Sequence, residues 1–246
     1  VCSHKVHIFT GPGTFCVSSA GNAAGSQTIE YLVVAGGGGS GGHGSSGGKI
    51  QAAGAGGAGG WRSFTALPAA NPLNGPEAIP VSVQAYPITV GGAGAGDPAN
   101  ASGGSRGSNS IFSTITSTGG GGGGSKNNPG PGAACGASKT GGSGGGGSGR
   151  TPCQSIDEGG TGNSPPVSPS QGEPGGRGAR RAAAPASESG SGGGGGATVA
   201  GTDCPTCGDD GRPGGDGAFV PDAFFGPTAP SYGQSPSPLA PNGRYF

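Results

Sequence analysis

Apolar side chains in this sequence are confined to short segments separated by glycine, serine and proline. The segment 28–35, Thr-Ile-Glu-Tyr-Leu-Val-Val-Ala, ends in four apolar residues, which indicates a strand buried on both faces. Three further segments, 61–67, 81–90 and 111–118, are rich in β-branched and aromatic residues and are predicted as strands. The pattern predicts a chain that is mostly irregular or all-β, with little or no α-helix.

The first twenty residues predict a hairpin. Apolar residues alternate with polar ones on both sides of the turn Gly11-Pro12-Gly13, so residues 3–18 are predicted to form two strands. A turn centred on Pro12 places Cys16 opposite Ile8.

Each predicted strand lies next to a run rich in glycine. Glycine loses the most backbone entropy on ordering, so such runs need partners for their own N–H and C=O groups. Left-handed helices with three residues per turn, packed side by side, supply those partners because no side chains separate them. We therefore predict a packed polyglycine II helix bundle with long loops, attached to a small antiparallel β-sandwich-like head. The clearest runs are 36–39, 54–60, 119–124, 144–147 and 192–196.

Composition brings in a competing hypothesis. With 64 Gly and 23 Pro in 246 residues, the chain has the composition of a low-complexity, disordered spacer. Its net charge is zero, however, whereas disordered chains usually carry charge. Glycine does not recur at every third position, which excludes collagen. A pI near 7 argues against nucleic-acid binding, and no apolar stretch approaches the roughly 20 residues of a membrane span, so we expect no membrane insertion.

The six cysteines suggest disulfides that stabilise the fold in an oxidising, extracellular environment, because the chain has too few apolar residues for an ordinary core. Their spacing does not choose among the possible connectivities. Cys204 and Cys207 also have the spacing of half a zinc site, but a second close pair is missing, so we favour disulfides over a metal. The candidate disulfide cysteines are Cys2, Cys16, Cys135, Cys153, Cys204 and Cys207.

Catalytic motifs are missing. No Gly-Lys-Ser/Thr follows a glycine run, and the three histidines lack a spaced acid or nucleophile. Asp209, Asp210 and Asp216 lack the spacing of a calcium loop and are interpreted as an acidic turn. Trp61 is predicted to begin a strand and to pack against the N-terminal hairpin. We expect a protein that is not an enzyme and binds no cofactor and no metal.

The junctions between strands and glycine runs carry a resemblance to a known family. The stretches "IEYLVVAGGGGSGG", "GAGGWRSFTAL", "YPITVGGAGAG" and "SIFSTITSTGGGGGG", followed by Pro165-Pro-Val-Ser-Pro-Ser-Gln-Gly172, resemble the glycine-rich domain of bacteriophage tail fibres and tail-tip adhesins. In that family, adhesins at the distal ends of T-even long fibres carry packed polyglycine helices whose connecting loops contact the host. The resemblance implies the same packing here; the six cysteines and the segment 71–80 depart from the family pattern.

On this basis we divide the chain into three parts. Residues 1–118 are a β-rich head with the first glycine runs interleaved, residues 119–217 are the bundle with its connecting loops, and residues 218–246 are an aromatic tail. The tail either caps the bundle or docks onto another chain, through Phe219, Phe224, Phe225, Tyr245 and Phe246. Candidate receptor or partner contacts in the loops are His43, Lys49, Arg106, Lys126, Lys139, Arg177, Arg180 and Arg181.

Two functions remain open. The first is a structural protein of a phage tail fibre or tail tip, located on the extracellular virion tail, whose loops contribute to receptor recognition on a rigid scaffold. Its expected partners are other tail or fibre proteins, a host cell-surface receptor such as a glycan or an outer-membrane protein, and further copies of itself. The alternative is an extracellular glycine-rich structural protein that self-assembles into a filament or a surface coat.

Overall fold

The computed structural model contains short strands, one short helix and many extended glycine-rich runs. It describes residues 5–21, 27–42, 44–46, 49–67, 72–98, 103–125, 138–149, 157–179, 190–204, 211–234 and 243–246. The strands are β1 (Gly13–Cys16), β2 (Thr28–Ile29), β3 (Tyr31–Val34), β4 (Gly44–Ser46), β5 (Lys49–Gln51), β6 (Trp61–Phe64), β7 (Ile79–Pro80), β8 (Ala85–Thr89), β9 (Ser110–Phe112), β10 (Ile115–Ser117), β11 (Phe219–Pro221) and β12 (Gly243–Tyr245). Helix α1 (Asp222–Phe225) continues into a 3-10 helix (Gly226–Ser231).

All strand pairs are antiparallel and the sheets are small. One sheet has four strands in the order β1-β8-β9-β10, and four ribbons pair β3 with β6, β2 with β7, β4 with β5 and β11 with β12. The prediction of a mostly β and irregular chain with little α-helix is confirmed.

The predicted N-terminal hairpin is wrong. Of its described residues only 13–16 form a strand, and this strand pairs with β8, so that Cys16 lies opposite Ala85 rather than Ile8. Pairing with β8 is favoured because it brings Phe15 to aromatic side chains. The centroid of the Phe15 ring lies 6.3 Å from that of Tyr86 and 6.1 Å from that of Phe112. A short hairpin alone would have buried little apolar surface.

Two predicted strands also differ in extent. Residues 111–118 form a hairpin of β9 and β10 instead of one strand, with Ser113 at the turn in the left-handed region (φ 52°). The strand predicted at 81–90 begins only at Ala85. The segment 28–35 is a strand as predicted, interrupted at Glu30.

The glycine runs form the predicted packed bundle. In run 35–42 the N–H groups of Ala35, Gly38 and Gly41 donate to carbonyl oxygens of run 52–60 over 2.9 to 3.1 Å, three residues apart each time. The intervening donors Gly36 and Gly39 bond to run 103–109, again three residues apart. A repeat of three residues per neighbour is the geometry of a polyglycine II helix, in which successive peptide groups point in three directions.

The same periodic bonding joins the remaining runs into one bundle. Runs 91–97 and 118–125 donate to carbonyl oxygens of run 35–42, and run 118–125 donates onward to run 138–149. Beyond these lie four further segments bonded to one another in the same way: 157–162, 171–179, 190–197 and 199–204, followed by 211–217. Because these bonds link early and late residues, the bundle extends across the boundary predicted after residue 118.

Side-chain packing is concentrated at one end of the bundle, in two clusters. Tyr31, Val33, Ile79, Tyr86 and Phe112 form the cluster beneath the four-stranded sheet. The second cluster joins Trp61 and Ala197 to the C-terminal segment through Ala218, Val220 and Phe225.

The prediction for Trp61 is confirmed for its place in a strand and wrong for its packing partner. It begins β6 as predicted, but it packs against the C-terminal segment, with its ring 6.0 Å from that of Phe246, and not against an N-terminal hairpin. Its indole N–H donates to the hydroxyl of Ser63 over 2.8 Å, so the buried ring leaves no polar group unpaired.

Candidate binding face

The two ends of the bundle differ. We call the end that carries the strands the sheet end: β3 leads into run 35–42, β6 follows run 52–60, β9 follows run 103–109 and β10 leads into run 118–125. The opposite end, which we call the loop end, is therefore marked by residues 42, 52, 97, 103 and 125. Hydrogen bonds place further residues there. Gly149 bonds to Ala52, and its neighbour Ser148 bonds to Asp157, which accepts from Gly178. Ala179, next to Gly178, bonds to Gly190.

The connecting segments of the later runs start and finish at the same end. Asp157 is bonded to Gly178, and Cys204 donates its N–H to Arg177, so all these residues share the loop end with Ala179. Arg212 donates its N–H to Ser191, which places the start of run 211–217 there too. Six connections thus depart from one face of the bundle, at 43–51, 98–102, 126–137, 150–156, 180–189 and 205–210.

Asp97 links the residues at which three of these connections begin or end. Its Oδ2 accepts from the Gly103 N–H over 3.1 Å and from the Ser125 hydroxyl over 2.7 Å. The Ser125 Oγ in turn accepts from the Gly42 N–H over 2.6 Å. The ends of runs 35–42, 91–97, 103–109 and 118–125 are therefore fixed relative to one another by charge-assisted hydrogen bonds.

Asp157 performs the same role for the later connections. Its buried carboxylate accepts from the N–H and the hydroxyl of Ser148 over 2.6 and 2.8 Å, while its carbonyl oxygen accepts from Gly178. Burial raises the pKa of Asp157 above its ordinary value, and the bonds from Ser148 oppose that shift. Neither aspartate was predicted from the sequence; the available signals were an acid directly after glycine run 91–96 for Asp97 and, for Asp157, an acid pair with Glu158 directly before two glycines.

The structure describes four of the eight candidate contact residues: Arg106, Lys139 and Arg177 with their side chains, and Lys49 by its backbone alone. Arg106 is exposed and donates from Nη2 to the hydroxyl of Thr140 over 2.5 Å, which brings it beside Lys139 although the two are far apart in sequence. Arg177 is exposed at the loop end and its Nε lies 2.7 Å from Glu158 Oε2. Lys49 begins β5. The other four candidates, His43, Lys126, Arg180 and Arg181, lie outside the described residues.

The cysteine prediction is tested only in part. No disulfide joins Cys16, exposed in β1, to Cys204, which is buried at the loop end. Cys2, Cys135, Cys153 and Cys207 lie outside the described residues, as do Asp209 and Asp210. Within the described ranges no group of three or more His, Cys, Asp or Glu side chains is placed to hold a metal ion.

The segment Pro165–Gly172 organises the sheet end. Gln171 is fully buried; its Oε1 accepts from the Thr118 N–H over 2.8 Å and its Nε2 donates to the Pro165 carbonyl over 2.9 Å. Its own carbonyl accepts from the Trp61 N–H. One residue thus ties the start of run 118–125 to the end of run 52–60. The segment is part of the family resemblance, whereas the role of Gln171 was not predicted from the sequence.

The aromatic tail packs on its own bundle. Phe219 of β11 pairs with Tyr245 of β12 at 5.5 Å between ring centroids, and Phe225 is buried against Trp61 and its neighbours. Phe224 lies against this cluster. Phe246 also contacts it, at 5.7 Å from Phe225, but keeps 42% of its surface exposed.

The fold and the loop end define a class of protein: a polyglycine bundle that is closed by small sheets at one end and carries its connections at the other. In agreement, the family model described as a glycine-rich domain matches residues 10–224, and the chain belongs to this family. No curated protein and no solved structure matches the chain significantly. The helices within the described ranges are too short to span a membrane.

Proposed function

We propose that the chain is a non-enzymatic structural protein of a bacteriophage tail fibre or tail tip, and that its loop end takes part in recognising the host. The observation that carries this proposal is the departure of six connections from one face of a hydrogen-bonded scaffold. Rigid scaffolds commonly present binding residues on clustered loops, because a fixed base lowers the entropy lost on binding.

Charged side chains of both signs belong to the same face. The loop end carries Arg177, paired with Glu158, in the described structure, and its connections contain the cations Lys126, Arg180 and Arg181 and the acids Glu188, Asp209 and Asp210 in their sequence. Cationic side chains suit anionic glycans or acidic loops of an outer-membrane protein. Several copies in one virion would strengthen an individually weak contact, so we propose a homo-oligomer that is anchored to other tail proteins.

Adsorption of virions that carry variant chains tests the proposal. Residues 180–189 are replaced by a Gly/Ser segment of equal length, and in a control Val83, which is 63% exposed at the sheet end, is replaced by serine. We expect the first change to lower the adsorption rate constant at least about tenfold and the control to leave it unchanged. Equal adsorption by both variants, with intact particles, would count against the loop end.

A filament or coat protein requires different behaviour. The purified chain would then form fibres by itself, because its subunits would continue the hydrogen-bonded lattice from one copy to the next. Soluble particles that bind cells or a tail partner favour the fibre or tip protein. Electron microscopy of the purified protein separates these outcomes.

A further inference from the structure

The bundle contains a position along its side where one more polypeptide thread would fit. Run 190–197 is hydrogen-bonded to five neighbours: runs 52–60, 138–149, 171–179, 199–204 and 211–217. Between two of them, 52–60 and 211–217, a groove of about 420 Å³ is open to solvent, with residues 194–196 at its base. Phe246 lies at one end of this groove, where its backbone is beside Gly217.

Peptide groups around the groove have the bonding capacity that a thread requires. Within the described part of the chain, the N–H and C=O of Gly56 and Gly214 and the N–H of Gly194 have no hydrogen-bond partner. Gly194 is buried, and buried backbone donors are rarely left unpaired. The N–H of Gly193 donates to run 199–204 and the N–H of Gly195 donates to run 138–149. Successive N–H groups of a helix with three residues per turn point in three directions, so the Gly194 N–H points in the remaining direction, toward the groove.

The walls of the groove restrict what can enter it. They are backbone atoms and the small side chains of Ala55 and Ala58, and none of the lining residues is charged. Threads in this bundle approach so closely that a β-carbon on Gly194 would lie 2.1 Å from the Gly56 oxygen. A side chain facing such walls would hold the occupant out of hydrogen-bonding distance.

We propose that the groove binds an extended glycine-rich segment of another protein as an additional three-residue-per-turn thread. The wall from Ala55 to Ala58 spans about 12 Å at ~3.1 Å per residue, which matches about four residues of such a thread. The occupant bonds to the peptide groups of Gly56, Gly194 and Gly214, and affinity comes from the backbone, as in addition of a strand to a sheet edge. This site is separate from the loop end and does not rest on the role proposed for it.

Hexaglycine added to the full-length, isotope-labelled protein tests the proposal by NMR. We expect saturable shifts of the Gly56, Gly194 and Gly214 amide signals, and no saturable shifts with hexaalanine. Ala58→Leu narrows the groove from an exposed position and should weaken hexaglycine binding at least about tenfold. Ala93→Leu, an exposed alanine on run 91–97 outside the groove, is the matched control and should bind as the parent does.

Three results would overturn the proposal. These are the absence of saturable shifts with hexaglycine, equal binding by Ala58→Leu and the parent, and equal shifts with hexaalanine. Sedimentation of the unliganded protein adds a fourth: a dimer that Ala58→Leu dissociates would show that a second copy of this chain, and not another protein, occupies the groove.

Discussion

The carbonyl oxygen of Gly54 lies 2.0 Å from the point at which a β-carbon on Gly123 would stand. The same holds across the bundle, where a β-carbon on Gly38 would lie 2.1 Å from the Gly121 oxygen. The threads are close enough to hydrogen-bond only because glycine occupies these positions. Glycine is therefore required at positions 38 and 123 because the neighbouring thread is so close. Backbone conformation does not require it, since neither Gly38 nor Gly123 has a positive φ.

Gly123→Ala should destabilise the protein by about 3 kcal/mol or more, because run 118–125 would have to move away from run 52–60 and break its hydrogen bonds. Gly92→Ala is the matched control, since its β-carbon would meet nothing within 4 Å. That change should be neutral or stabilise by up to about 1 kcal/mol by restricting the unfolded chain. Urea unfolding measures both; equal effects would contradict the packing described.

Gln171→Ala should destabilise by about 2–3 kcal/mol, because it leaves the buried Thr118 N–H without its acceptor. Gln84→Ala is the control: the Gln84 side chain is exposed and its Nε2 donates to the exposed hydroxyl of Ser82, so its loss should change the free energy of unfolding by less than about 0.5 kcal/mol. The comparison is made in thermal or urea unfolding, and a Gln171 variant as stable as the control would remove its role at the sheet end.

Asp222→Ala should cost about 1–3 kcal/mol. It removes the carboxylate that lies 3.0 Å from the Nε of Arg244, whose side chain is only 10% exposed, and so breaks a charge-assisted hydrogen bond to a largely buried cation. Glu158→Ala removes the partner of Arg177 in a pair whose side chains are 56% and 61% exposed, and should cost less than about 1 kcal/mol. A larger loss at Glu158 than at Asp222 would show that burial does not set the strength of these pairs.

The buried carboxyl of Asp157 should make stability depend on pH. Because its pKa is raised in the folded state, the stability that it contributes is fully present below its ordinary pKa of 3.8 and is lost as pH rises through the folded value. The free energy of unfolding of the parent relative to Asp157→Asn should therefore fall as pH rises from below 3.8 through the folded pKa. A difference that stays constant or rises over this range would show that the Ser148 bonds outweigh burial.

Local patterns predicted much of the fold. Strands at 28–35 and 61–67 were predicted because each segment is rich in β-branched and aromatic residues and borders a glycine run, which follows the first and precedes the second. The bundle was predicted because glycine runs need backbone partners. The pure glycine run 119–124 proved buried along its whole length, whereas run 91–97, which contains alanine and aspartate, is largely exposed. An uninterrupted glycine run therefore indicates an interior thread, whereas alanine and aspartate accompany this peripheral one. Serine does not mark the periphery, because residues 141–149 are buried although they include Ser143 and Ser148.

What escaped prediction depends on contacts between distant residues. β1 pairs with β8 rather than with its sequence neighbours, because Phe15 finds Tyr86 and Phe112 there. The order of the runs could not be predicted, since identical glycine segments carry no side chains to specify a partner. Loop lengths and side-chain anchors such as Asp97 must set that order, and their roles appear only once the runs are assembled.

Amide hydrogen exchange, resolved by residue in NMR, tests the hydrogen-bonded bundle most directly. In run 35–42 the N–H groups that are hydrogen-bonded should exchange at least about 100-fold more slowly than those of an unstructured peptide. The N–H groups without a partner in the described structure should exchange faster than the bonded ones. Fast exchange should therefore recur at every third residue. The bonded donors are Ala35, Gly36, Gly38, Gly39, Gly41 and Gly42, and the others are Gly37 and Ser40. Exchange of all eight amides at the rate of an unstructured peptide would contradict the account.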